Sequence, residues 1–127
     1  MIRCNYLILS EGITLDQITG LASIYNVLEK FSGAEFPFVV NKIAMLAFFE
    51  RTKEELSKIE IEWKLSNNEN LIKTDKVMVD FNDRLKHKWI NIFQGIEIKG
   101  PGELRFSIYH RGKEINRYSI EVEKNLK

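Results

Sequence analysis

The sequence predicts an all-β fold: an antiparallel β-sandwich of about seven or eight strands, one domain over residues 1–127, with at most one or two short helical turns. Three observations lead there. Apolar and polar residues alternate with period two in several runs, as they do when side chains of a half-buried strand point to opposite faces. Turn-forming residues punctuate those runs at short intervals. The 127 residues suffice for one core without disulfides or metals.

Each element has its own justification. Arg3 to Leu9 is apolar and strand-prone. Phe38 to Phe49 is an almost unbroken apolar run. Ile59, Ile61, Trp63 and Leu65 alternate with Glu60, Glu62 and Lys64, which puts Trp63 in the core and Glu62 in water. Leu71 to Phe81 alternates around Val77, Val79 and Phe81. Lys88 to Ile98 places Ile90, Ile92, Ile96 and Ile98 on one face. Leu104 to Tyr109 and Ile115 to Val122 form a hairpin across Arg111-Gly112, where glycine tolerates positive φ. This last hairpin is the expected sheet edge, open to strand addition or self-pairing.

Thr14 to Phe31 fits two descriptions. Thr14 and Gln17 have capping-box spacing, and Leu15, Ile18, Ala22, Tyr25 and Leu28 form a helical face ended by Gly33. Ile18, Thr19, Ile24, Tyr25 and Val27 favour strands, a weaker local signal with Gly20 inside the run. Thr52 and Glu55 repeat the capping-box spacing, predicting one helical turn over Lys53 to Leu56.

Composition narrows function mainly by exclusion. The net charge of +1 gives no global field for nucleic acid or anionic membranes. Residues 1 to 83 hold 9 Lys and Arg against 13 Asp and Glu, whereas residues 84 to 127 hold 10 against 5, an asymmetry that a sandwich can interleave in space. The single cysteine, Cys4, forbids an internal disulfide and suits a reducing compartment. With no signal peptide and no long apolar stretch, the expectation is a cytoplasmic protein without a membrane partner.

No residue set spells out a reaction. Cys4 reads as a small buried hydrophobe rather than a reactive thiolate. His87 and His110 lack zinc-ligand spacing. Asp80, Asn82 and Asp83 could gather oxygens for calcium, but Asx residues at a strand end ordinarily make turns. Glu54-Glu55 and Glu60 with Glu62 read as solvated carboxylates, not a glycosidase pair. Gly100-Pro101-Gly102 is a turn, not a phosphate loop. No cofactor is expected. Arg84, Lys86, His87 and Lys88 beside Trp89 come nearest to a nucleic-acid signature, and a motif-free cluster of this kind is more often a solvated loop. Trp89, Tyr109 and Tyr118 are expected on outer faces, where exposed aromatics mark protein contacts. The candidate partner-contact set is therefore Arg84, Lys86, Lys88, Trp89, Tyr109 and Tyr118.

The order of Cys4-Asn5-Tyr6, Glu11-Gly12, Ile18-Thr19-Gly20, Ile24-Tyr25-Asn26-Val27, Phe36-Pro37, the Phe38 to Glu50 strand and Gly100-Pro101-Gly102-Glu103-Leu104-Arg105-Phe106 resembles an uncharacterised, mostly bacterial β-sandwich family, a domain of unknown function. The resemblance implies that Gln17 to Leu28 is a strand, although an ITLDQ insert after Glu11-Gly12 leaves room for a short helix near Thr14. The functional expectation is a small non-enzymatic binding or adaptor module that meets a protein partner or its own copy. The alternatives are an enzyme or small-molecule binder whose site is assembled from distant residues, and a weak binder of nucleic acid or anionic surfaces.

Overall fold

The computed structural model describes residues 1–125. Nine strands follow one another: β1 Arg3–Leu15, β2 Ala22–Val27, β3 Lys30–Gly33, β4 Phe38–Glu50, β5 Lys58–Asn67, β6 Asn70–Asp80, β7 Lys86–Ile98, β8 Gly102–His110 and β9 Lys113–Lys124. They form a four-stranded sheet, β2-β1-β4-β7, and a five-stranded sheet, β3-β9-β8-β5-β6. The all-β sandwich is as expected, with two differences of detail. Among the described residues the strand count is nine, and β3 pairs with β9 in parallel.

Both differences come from the ambiguous segment. Its strand formers Ile24, Tyr25 and Val27 lie in β2, which pairs with β1, while Lys30–Gly33 adds to β9. The strand implied for Gln17 to Leu28 is shorter at its start. Gln17 to Leu21 lies in a turn: Asp16 Oδ1 accepts the amides of Ile18 and Thr19, each at 2.8 Å, and Gly20 takes φ 72°. At Thr52 the capping contact forms without a helix. Glu55 Oε1 accepts the Thr52 amide at 3.0 Å, and the chain turns into β5.

The predicted face of β5 is the inner one: Ile59, Ile61, Trp63 and Leu65 are all buried. Trp63 meets Phe106 of β8 and, across the sandwich, Phe93 of β7, with ring centroids 5.7 and 5.1 Å away. Such stacked and tilted pairs add to the apolar area they bury. Arg51 is also buried, against the ring of Phe81, and donates to the carbonyls of Arg84, Thr52 and Glu55, tying two loops together.

β7 departs from the one-face expectation. Ile96 and Ile98 face the core, but so does Phe93, while Ile90 and Ile92 point outward with their partners Leu46 and Ala44. The strand changes face at Gly95, whose φ of 63° only glycine adopts freely. β4 changes face at the opposing rung, from Ile43 to Val40.

The last hairpin forms as predicted, with positive φ at both Arg111 and Gly112 as a tight two-residue loop requires. It is not the sheet edge. β8 lies between β5 and β9, and β3 covers Glu121 to Lys124 of β9. The sheets end instead at β2, β7, β3 and β6. At the other end of β8, buried Asn67 donates to the carbonyls of Gly100 and Glu103 and accepts the amides of Lys99 and Gly100. Gly102 closes this clamp; a Cβ there would lie 2.0 Å from Asn68 Oδ1.

Candidate contact surface

The two outer faces differ in chemistry. On the five-stranded sheet, charged side chains neighbour one another: Lys64 Nζ lies 3.8 Å from Glu62 and 4.9 Å from the Tyr109 ring centre, and Arg105 pairs with Glu103 at 2.9 Å. This is an ordinary solvated face. The four-stranded sheet instead turns Tyr6, Ile8, Ala44, Leu46, Phe48, Ile90 and Ile92 outward.

The β1–β2 hairpin lies over that apolar face. Its ladder runs from Ser10–Val27 to Leu15–Ala22 but skips the Glu11–Asn26 rung, where Asn26 takes φ 51°. A straight β1 would carry Leu15 about 30 Å past Tyr6 at roughly 3.3 Å per residue. Yet Lys88, in register with Phe48 and through it with Tyr6, donates from Nζ to Gly20 O in the hairpin turn at 2.7 Å. The hairpin therefore bends at the skipped rung and folds back. It turns the half-buried pair Ile13 and Ile24 toward the sheet and leaves Thr14 and Tyr25 in solvent, joined by a 3.0 Å hydrogen bond. Ala44 and Leu46, which point away from the core, are 0% and 1% exposed beneath it.

The hairpin turn presents apolar side chains outward. Ile18 is 95% exposed and Leu21 68%. The turn is nonetheless well tied: besides the Asp16 contacts, Thr19 Oγ1 accepts the Leu21 amide at 3.2 Å, and Asp16 N donates to Leu21 O at 2.9 Å. The Thr19 and Ile18 amides hold the Asp16 carboxyl below the usual carboxylate range. The turn joins a cluster on the sheet. Lys88 Nζ sits 5.6 Å over the Phe48 ring, and Phe48 packs edge-on against Tyr6, itself 64% exposed, at 5.9 Å. Tyr6, Phe48 and Lys88 thus lie side by side, and the Lys88–Gly20 bond brings the turn that carries Ile18 and Leu21 next to them. Exposed apolar surface organised in this way suits recognition of another molecule.

The six residues singled out from sequence do not share a surface. Lys86 and Lys88 project from the outer face of β7, opposite Glu50 and Phe48. Arg84 is exposed in the β6–β7 loop. Trp89 turns inward, 6.2 Å from Phe49, so it offers no stacking platform beside the basic residues. Tyr118 also packs on the core, and its hydroxyl donates to Leu28 O at 2.6 Å. Tyr109 lies on the charged outer face of the five-stranded sheet. Of the set, Lys88 alone belongs to the apolar surface. Sequence reasoning passed over Tyr6, Ile18, Leu21 and Phe48. The available signal was the Asp16 to Gly20 turn, hidden by a helical spacing that fitted the same residues.

The remaining polar candidates have structural uses. Cys4 is buried, which pushes its thiol up to about 11. Asp80 accepts the Asn82 amide at 2.9 Å, an Asx turn. No group of three or more His, Cys, Asp and Glu side chains among the described residues could hold a metal. A cleft of about 690 Å³ opens beside His110, Arg111, Glu54, Glu55 and Glu60. In it Glu55 Oε1 is occupied by Thr52 and by the Met1 ammonium at 3.1 Å.

His110 and His87 make a pH prediction. Burial lowers both below the ordinary histidine range. Unfolding then takes up protons near pH 6.5, so both contribute stability above that pH that is lost as pH falls through it. The denaturation midpoint should drop between pH 7.5 and 5.5, and the double substitution His87→Gln, His110→Gln should flatten that slope. An equal slope in the variant would place the pH sensitivity elsewhere.

Fold and surface together define a β-sandwich with one charged and one apolar outer face. The chain belongs to a family of unknown function, DUF6941, whose profile matches residues 5–123. A search of curated proteins found no match. Among solved structures, an alkylpurine DNA glycosylase from Pseudomonas fluorescens aligns with 96% of this chain at a TM-score of 0.53 and 8% identity. A β-glucosidase from Listeria innocua aligns with 97% at 0.49 and 10%, and an immunoglobulin-like protein from Pseudomonas aeruginosa with 96% at 0.47 and 12%. The chain spans 30% of the glycosylase, 16% of the glucosidase and 96% of the immunoglobulin-like protein. The first likeness shows the fold alone, and the other two carry no argument. No helix among the described residues is long and apolar enough to cross a membrane.

Proposed function

We propose that this protein is a non-enzymatic binding module that docks a protein partner through the hairpin turn and the adjoining Tyr6–Phe48 cluster. The observation that carries this reading is Ile18. A side chain 95% exposed on a turn fixed by Asp16 and Thr19 is held out at a cost in solvation, with its conformational freedom already restricted. Leu21, Tyr6 and Phe48 give a partner an apolar floor around it. The same reading sets the module in the bacterial cytoplasm, where its one buried thiol stays reduced.

The test compares affinity-tagged wild type, Ile18→Asp and, as a control on the charged outer face of the five-stranded sheet, Arg117→Asp at an exposed position of β9, purified from a native host and quantified by mass spectrometry, with light scattering for self-association. A specific partner or dimer should be retained by wild type and Arg117→Asp and reduced about tenfold or more by Ile18→Asp, the loss of one interface anchor. Equal retention by all three, or a monomer with nothing retained, would contradict the proposal.

A further inference from the structure

We propose that the β1–β2 hairpin is a hinged arm, latched by Lys88, that covers and uncovers an apolar strip of the four-stranded sheet. The arm begins where β1 leaves β4: their ladder ends at Ser10–Ala44, and beyond it β1 pairs only with β2. The hinge is the next rung, where the Glu11–Asn26 backbone pairing is missing. Asn26 there adopts the left-handed conformation, Ser10 Oγ donates to Gly12 O at 3.1 Å, and Asn26 Nδ2 donates to Glu11 Oε2 at 3.1 Å. A change in backbone angle at that rung moves everything beyond it while breaking no backbone pairing within the arm.

A two-stranded hairpin has little stability of its own in water, so its position depends on what it rests against. Here that is the half-buried pair Ile13 and Ile24 and one polar contact, the Lys88 Nζ to Gly20 O bond. The latch is aimed by the Phe48 ring beneath the ammonium group. The turn at the far end carries its own hydrogen bonds to Asp16 and Thr19, so the arm lifts as a hairpin; once off the sheet its ladder, marginal in water, opens readily and its amides exchange. Under the arm lie Ala44 and Leu46, buried yet outside the core cluster, flanked by Ile8 and Ile90. Opening extends the Tyr6–Phe48 patch along the sheet. The inference stands apart from the proposed docking role, and its test needs no partner.

Amide hydrogen exchange on the whole chain, read by mass spectrometry, tests it with Lys88→Met and Lys88→Arg. Loss of the latch in Lys88→Met should speed exchange in residues 12–26 about tenfold, the factor expected from losing one charge-assisted hydrogen bond. Exchange in β4 and β7 should hold, and binding of an apolar dye should rise. Lys88→Arg, which keeps a donor, should stay near wild type. In a second design, Leu21→Cys with Lys88→Cys bridged by a short bismaleimide should slow arm exchange below wild type; buried Cys4, with its raised pKa, does not compete for the reagent. Unchanged arm exchange in Lys88→Met, or acceleration spread equally over β4 and β7, would overturn the proposal.

Discussion

Trp63→Ala should lower the unfolding free energy by about 3–5 kcal/mol, the range for emptying a buried aromatic site. Trp63 joins the two sheets. Its ring packs on Phe106 within its own sheet and on Phe93 across the core, and those two rings also touch, with centroids 5.5 Å apart. The backbone on both sides is fixed by ladders, to Ile108 in β8 and Asp75 in β6, so the site cannot collapse freely to fill the void. A domain of ordinary stability has only about 5–15 kcal/mol to lose. Glu62→Ala, one residue away on the outer face, should cost under about 0.5 kcal/mol. Urea titrations of both variants settle the matter. A larger loss for Glu62→Ala would mean that the faces of β5 are inverted.

Asn67→Ala should cost about 3–4 kcal/mol through hydrogen bonding rather than packing. The side chain is 1% exposed and makes four bonds, two as donor and two as acceptor, to backbone groups of residues 99, 100 and 103. Truncation leaves the Lys99 amide and the Gly100 amide and carbonyl without this partner at a part-buried site, while Glu103 O keeps the Asn68 amide; each unpaired buried group costs about 1–3 kcal/mol, partly relieved by local movement. Asn68 contacts the same loop from an exposed position, accepting the Glu103 amide and donating to Pro101 O. Asn68→Gly, which suits its φ of 57°, should cost about 1 kcal/mol or less because water replaces the lost bonds. Thermal or urea midpoints that ranked Asn68→Gly as the more damaging would refute this account of the clamp.

The strands that alternate cleanly were legible in the sequence because one face of each is wet. Ile59 to Leu65 and Leu104 to Ile108 encode burial directly in their residue types. β4 and β7 were legible as strands but not in their faces, since both change side at the Gly95 rung and a fixed period cannot represent that change. The arm was the least legible. Leu15, Ile18, Ala22 and Tyr25 satisfy a helical spacing, whereas the structure is decided by hairpin pairing between β1 and β2 and by one carboxylate, Asp16, accepting two amides. The candidate surface shared that difficulty. Its members come from β1, β4, β7 and the hairpin turn, and only the fold-back shown by Lys88 and Gly20 brings them together. Trp89 and Tyr118 illustrate the converse, since aromatic residues in sequence do not declare which face of a strand they occupy.

The claim that contact is made through the arm's side of the molecule can be tested directly with a photo-crosslinking amino acid. It is placed at position 18 on the turn or, in a second version, at position 117 on the charged face of the five-stranded sheet, and irradiated in living host cells. The account predicts a discrete higher-mass adduct from position 18 and none from position 117. No adduct at position 18, or the same adduct from both positions, would contradict it.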